Sequence, residues 1–222
     1  MALKLNTIIE PYKEYYGRNI DQMPNLIADG RVPMNVAQLM QRRLEVGNFD
    51  DEVRNSYIDN YFDTGDAVVY HPDGRVKIDL DSQTLRDMTP ERPRSNGALV
   101  LTSEFYDTLP GEEFMKGKLG KINDSLSRED VKAHPVWKVL ARDQALLNDY
   151  TDFIFAEGKQ RFDYDTAMGI FPASTGGNTP EMRAWCVCWL EYYSYACGRG
   201  YLGNGRLVGI APEALSTSRK KS

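Results

Sequence analysis

The chain has 222 residues, 41% of them apolar, and a formal net charge of -5. That is enough apolar material to bury a sizeable core and points away from a disordered chain. The acidic balance lacks the electrostatic footprint of a phosphate-backbone binder, so a nucleic-acid-associated role ranks last.

Basic residues cluster only briefly, at Arg42-Arg43, Arg92 and Arg94, and Arg219-Lys220-Lys221. The N-terminus, MALKLNTIIE, lacks the basic start and cleavage site of a secretory signal, and no apolar run approaches the length of roughly 18 residues that crosses a bilayer. The expectation is therefore a soluble, cytoplasmic protein with no membrane partner.

Taken in chain order, Leu3, Leu5, Ile8, Ile9, Tyr12 and Tyr16 recur at helical spacing, with Pro11 as a kink and Gly17 as a stop. Pro33 introduces a second helix with Val36, Leu39, Met40 and Leu44 on one face and Gly47 at its end. A third is expected from Asp50 to about Phe62. The period then changes to two: in Asp66 to Leu80, Val68 and Tyr70, then Val76, Ile78 and Leu80, alternate around Pro72-Asp73-Gly74, which predicts a β-hairpin. Residues 89–97 carry two prolines and no apolar side chain, marking the best internal boundary of a single domain spanning 1–222. A strand is expected at Ala98–Thr102. After a glycine-broken loop, Ser127 is placed as the cap of a first turn that Pro135 interrupts. Val136, Val139, Leu140, Leu146, Leu147, Tyr150, Phe153 and Ile154 then mark a long amphipathic helix ending near Gly158.

The segment Met182–Cys197, MRAWCVCWLEYYSYAC, reads as the central core helix. At 100° per residue Glu191 falls on a narrower face of small and charged residues, with Arg183, Ala184, Val187, Cys188, Ser194 and Tyr195. Met182, Trp185, Cys186, Trp189, Leu190, Tyr192, Tyr193, Ala196 and Cys197 fill the buried arc. On such a helix Cys186 and Cys197 stand roughly 16 Å apart along the axis, too far to bridge, so the three cysteines are expected to be buried inert thiols. Gly198 is placed as the helix C-cap, Asn204-Gly205 as a hairpin turn and Arg206–Ile210 as a strand. Residues 213–222 are expected to form a flexible tail.

Several motifs could carry chemistry. Tyr61 to Asp66, with Asp73-Gly74 beyond, locally resembles the Y-x-TGD…DG signature of adenylate-forming enzymes, and that resemblance implies that Asp66 would hold a nucleotide ribose. In that family the phosphate loop precedes the signature, whereas Ser174–Pro180 follows it here, and turn chemistry feeding a hairpin explains the same residues. Gly198, Gly200 and Gly203 satisfy G-x-G-x-x-G, but a helix would precede them and a strand follow, the reverse of a dinucleotide site. The best small-ligand candidate is the loop Ser174, Thr175, Gly176, Gly177, Asn178, Thr179: Thr179 suits an N-cap and Pro180 the first helical position, so backbone amides could cradle an anion there. Glu191 and Arg183 are the candidate catalytic side chains beside it. His71 and His134 lack ligand partners at metal spacing, and Asp149, Asp152, Asp163 and Asp165 form no calcium-loop pattern, so neither a metal nor a cofactor is expected.

Thirteen tyrosines, several adjoining other aromatics at Tyr15-Tyr16, Tyr61-Phe62, Phe105-Tyr106 and Tyr192-Tyr193, suit an interaction surface. The resulting expectation is an α+β protein, predominantly helical, with helices packed on a small, mainly antiparallel sheet. Its role is read as an interaction or assembly component with a protein partner or a homo-oligomeric state; a phosphate-ligand enzyme at the Gly176-Gly177 loop is the alternative.

Overall fold

In the computed structural model, which describes residues 10–49, 51–119, 125–173, 177–198, 202 and 205–214, the segment Met182–Cys197 is not a helix. It is a central strand, a short 3-10 turn and a second strand. The elements run β1 (Tyr12–Gly17), α1 (Asn19–Ala28), β2 (Val32–Pro33), α2 (Val36–Val46), α3 (Asp51–Ile58), β3 (Phe62–Tyr70), β4 (Arg75–Asp79), α4 (Gln83–Arg86), β5 (Arg94–Ser95), β6 (Ala98–Val100), α5 (Ser103–Thr108) and β7 (Glu112–Met115). They continue with α6 (Arg128–Ala133), α7 (Pro135–Ala141), α8 (Gln144–Phe162), β8 (Ile170–Phe171), β9 (Glu181–Val187), β10 (Ala196–Cys197) and β11 (Gly205–Ile210).

An eight-stranded sheet runs β5-β6-β9-β3-β4-β7, with β10 paired to β9 and β8, and a separate three-stranded sheet runs β1-β11-β2. This corrects the expectation of a predominantly helical chain on a small sheet. The reason lies in β9, which is buried along its whole length and pairs antiparallel with β3. Trp185 and Val187 enter a core layer with Val68, Tyr70, Val76, Ile78, Trp137, Leu140 and Tyr150. Met182 and Ala184 enter a second layer with Ala67, Val69, Ile20, Met23 and Leu26. A strand buried on both faces shows no polar alternation, so its apolar run imitates a core helix.

Several elements match their sequence expectations. The β3–β4 hairpin pairs Ala67 with Asp79 through to Tyr70 with Val76. Helix α2 is capped by Asn35, whose side chain accepts from the Gln38 amide while the Asn35 amide donates to Gln38 Oε1, a capping box.

Others are corrected. Tyr12 to Tyr16 is strand, because it pairs with β11 from Tyr12–Ile210 to Gly17–Gly205; residues 1–9 of the expected helix, like the tail beyond 214, lie outside the described residues. The long helix expected from 136 divides at Arg142, which takes a left-handed backbone (φ 63°) before Asp143 caps α8. Gly198 is not a helix cap: it follows β10, its carbonyl accepts from the Tyr70 hydroxyl at 3.1 Å, and a side chain there would overlap that hydroxyl.

Candidate functional site

The helix start on which the anion site expected at residues 174–179 leaned is instead the start of strand β9. Ser174, Thr175 and Gly176 lie outside the described residues, and Pro180-Glu181 opens a strand, so no helix dipole faces Gly177, Asn178 and Thr179. A Cβ at Gly177 would meet the Glu181 carboxylate at 3.2 Å, an acceptor where an anion would need donors. Glu181 is itself buried and ion-paired with Arg183 at 3.2 Å. Arg183 and Glu191 are not brought together: Arg183 lies inside β9, whereas Glu191 is exposed in the 3-10 turn Leu190–Tyr192.

Asp66 does not present a ribose-binding carboxylate. It is fully buried, accepts the amides of Val36 and Asp81 at 2.9 Å each and pairs with Arg142 at 2.5 Å, tying three segments together. His134 caps α7 through Nδ1 to the Val136 amide, and burial lowers its pKa. Asp152 pairs with Lys132 at 2.7 Å, and Asp163 and Asp165 share Lys159.

What the fold does assemble is a band of aromatic rings around the hairpin between β9 and β10. Tyr61, leaving α3 toward β3, stands 6.0 Å from Trp189, and Trp189 lies 4.8 Å from Tyr192. Its sequence neighbour Tyr193 lies 4.7 Å from Tyr164 and 5.5 Å from Tyr195; Tyr164 stacks on Phe162 at 6.3 Å, and Tyr195 meets Phe171 at 4.2 Å. All but the closer Tyr195–Phe171 pair lie within the centroid range of favourable ring pairs, about 4.5–7 Å. Tyr192 is 58% exposed and Phe162 40%, while Tyr164 and Phe171 form the buried margin.

The band rests on a fixed support. Leu190 is buried in the core, and its carbonyl accepts from the Tyr193 amide at 2.7 Å and the Tyr164 hydroxyl at 3.3 Å. Tyr193 and Ser194 both adopt left-handed backbone, φ 55° and 49°, a conformation costing of order 1 kcal/mol or more in non-glycine residues. It is held by the Ser194 amide on Trp189 O at 3.1 Å and the Met168 amide on Tyr193 O at 2.8 Å. The Cys188 amide reaches Tyr195 O at 2.9 Å, closing the base of the hairpin, and the Tyr195 hydroxyl meets Ser125 Oγ at 2.7 Å. From beneath, Gly158 of α8 leaves the room that the Tyr164 ring occupies; a methyl group there would overlap it. Burial raises the hydroxyl pKa of Tyr61, Tyr164 and Tyr195, so all three stay neutral.

The rim is charged. Glu191, Asp163 and Asp165 are exposed beside the rings, Lys159 pairs with both aspartates, and Arg161 lies over Phe162 at 5.2 Å. The sequence had pointed to Tyr192-Tyr193 and Tyr61; it buried Trp189 in a helix and did not connect Phe162, Tyr164, Phe171 and Tyr195. The absence of any charged residue but Glu191 from Cys188 to Cys197 was the available signal.

No protein-family model and no curated protein matches the sequence. Among solved structures, the chain is similar to a protein described as "Accommodation of massive sequence variation in Nanoarchaeota by the C-type lectin fold", with 16% identity, a TM-score of 0.65, and coverage of 92% of this chain and 100% of that one. This chain has a C-type lectin fold. That likeness shows architecture alone, and it replaces the helix-dominated α+β expectation with a sheet-centred one. Among the described residues of this C-type lectin fold, no helix is long and apolar enough to cross a membrane.

Proposed function

We propose that the chain is a binding module that docks a protein partner on the aromatic band of its β9–β10 hairpin. The observation that carries this is the run of rings from Tyr61 to Phe171, outward at Tyr192, Tyr193 and Phe162 yet held on a rigid base. Exposed aromatic surface that is already ordered loses little entropy on binding and supplies the large contact areas typical of interface anchors. Exposed Glu191, with a net charge of -5, suits a partner presenting Arg or Lys side chains among apolar ones, through cation–π and rim ion pairs. The structural neighbour supports this reading in one respect: its fold is described as accommodating massive sequence variation, and a framework of that kind can vary its surface while its core stays constant.

The test is capture of a partner by the purified chain, followed by titration against the triple variant Trp189→Ala, Tyr192→Ala, Tyr193→Ala. Expected is a loss of affinity of about 30-fold or more, the scale of a hot-spot deletion of about 2 kcal/mol. Unchanged affinity overturns the assignment of the surface. A chain that is monomeric by light scattering and captures no protein overturns the binding reading as a whole.

A further inference from the structure

The strands that frame the aromatic hairpin also bring the three cysteines together, the reverse of the helical expectation. Cys197 of β10 stands directly opposite Cys186 of β9 in the antiparallel ladder. Residues so paired have Cα atoms about 4.5–5.5 Å apart and side chains on one face, inside the range of about 4.4–6.8 Å that a disulfide spans. Cys188, the residue just after β9 and two beyond Cys186, lies beside them, and its thiol hydrogen-bonds with both Cys186 and Cys197. All three are in the thiol form; Cys186 is buried, Cys188 and Cys197 partly exposed. Among the described residues no set of three His, Cys, Asp or Glu side chains is placed to hold a metal ion, so the cluster is not read as a metal site.

We propose that Cys186 and Cys197 are a modification site: under an oxidising low-molecular-weight disulfide they form a cross-strand disulfide that pins both feet of the hairpin, with Cys188 left as the thiol. The chemistry is two exchanges. The partly exposed Cys197, as thiolate, attacks one sulfur of the small disulfide RSSR, forming a protein–S–S–R bond and releasing RS⁻, which takes up the proton that Cys197 lost. Cys186 then gives up its proton and attacks the Cys197 sulfur, forming the Cys186–Cys197 bond and releasing the second RS⁻, which leaves as RSH. Two protein thiols are oxidised and one RSSR is reduced to two RSH. Cys188 is held above the ordinary thiol range by its hydrogen bond to Cys186 and by burial, which disfavours its thiolate; the direct register of Cys197 with Cys186 is what selects that pair.

The bond would enclose Trp189, Tyr192, Tyr193 and Tyr195, so it would tune the order of the docking surface; that consequence rests on the proposed binding function, whereas the bond itself does not. Closing a loop of this size removes denatured-state entropy and should raise Tm by about 5–10 °C.

The experiment treats the full chain with oxidised glutathione at pH 8, blocks remaining thiols with N-ethylmaleimide under denaturing conditions, reduces, and labels the new thiols with iodoacetamide. No Lys or Arg lies between Arg183 and Arg199, so one tryptic peptide carries all three cysteines and fragmentation reads each label. Expected are the loss of two hydrogens in the intact mass, maleimide on Cys188, carbamidomethyl on Cys186 and Cys197, and the Tm rise in both wild type and Cys188→Ser. Cys197→Ser should show neither the mass loss nor the rise. Maleimide on all three positions, a bond that uses Cys188, a retained glutathione, or a bond without a Tm rise would each overturn the proposal. None of these readouts depends on a binding partner, so they stand apart from the fate of the docking surface.

Discussion

Within Met182–Cys197 the residues of β9 send their side chains into two buried layers, whereas those between Cys188 and Ala196 send theirs alternately into the core at Leu190 and out to solvent at Tyr192 and Tyr193. Both stretches are rich in aromatic and sulfur side chains, so composition does not separate them. Hydrogen bonding does. The first has ladder partners on both sides, from β3 and from β6 or β10. The second turns over on itself, and its rings take their order from Leu190, Met168 and Tyr164 beneath. Apolar residues of one kind therefore serve as framework where both backbone edges are paired, and as surface where the chain reverses.

The largest effect that tests this division is Trp185→Ala. Trp185 is completely buried, and its truncation should cost about 3–5 kcal/mol in denaturant unfolding, with the cavity adding to the lost transfer energy. A cost below about 1 kcal/mol would place β9 outside the framework.

The next effect is electrostatic and also lies in the framework. Asp63 of β3 is buried and its pKa is pushed up to about 6 by burial, while the hydrogen bond from the Arg206 amide pulls the other way. Its folded value lies above its unfolded one, so the contribution of its neutral form is complete below about pH 4 and is lost as pH rises through 6. The difference in stability between wild type and Asp63→Asn, followed from pH 4 to 7, should move against the wild type by roughly 2–3 kcal/mol. A difference that stays constant across that window would show that Asp63 does not titrate there.

The smallest effect belongs to the surface. Tyr192→Ala removes a ring that is already more than half in water and should change stability by under about 1 kcal/mol while weakening partner binding. A loss of stability on the scale of Trp185→Ala would erase the distinction between the two stretches.

Where polar side chains alternate with apolar ones or turn residues mark the ends, the sequence pattern is readable, even in β3, which is buried along its whole length. The β3–β4 hairpin, helix α2 and strand β11 follow from alternation, helical spacing and turn residues at the expected places. Strand β9 was misread because Met182 and Ala184 face one core layer and Trp185 and Val187 the other, leaving no polar phase to reveal a period of two. Thr179-Pro180-Glu181 added a local helix-start signal that the ladder to β3 and β6 overrides. The break between α7 and α8 falls on Arg142, where no glycine advertises the left-handed backbone, and α1 was hidden by Pro24 within it. Of the site, adjacent tyrosines were visible as a composition bias. Their union with Phe162, Tyr164 and Phe171 depends on β8, β10 and the end of α8 meeting at one place, which pairwise sequence spacing does not encode.

Gly158 adds a constraint that reaches the surface from inside. Because the Tyr164 ring fills the space a side chain at position 158 would need, these two positions cannot change independently. In homologous chains that keep this hairpin, any residue larger than glycine at the equivalent of 158 should be accompanied by a smaller residue at the equivalent of 164. Covariation between a helix-interior position and a ring beneath Tyr193 would then record how the proposed docking face has been reshaped without a single substitution at its exposed tip.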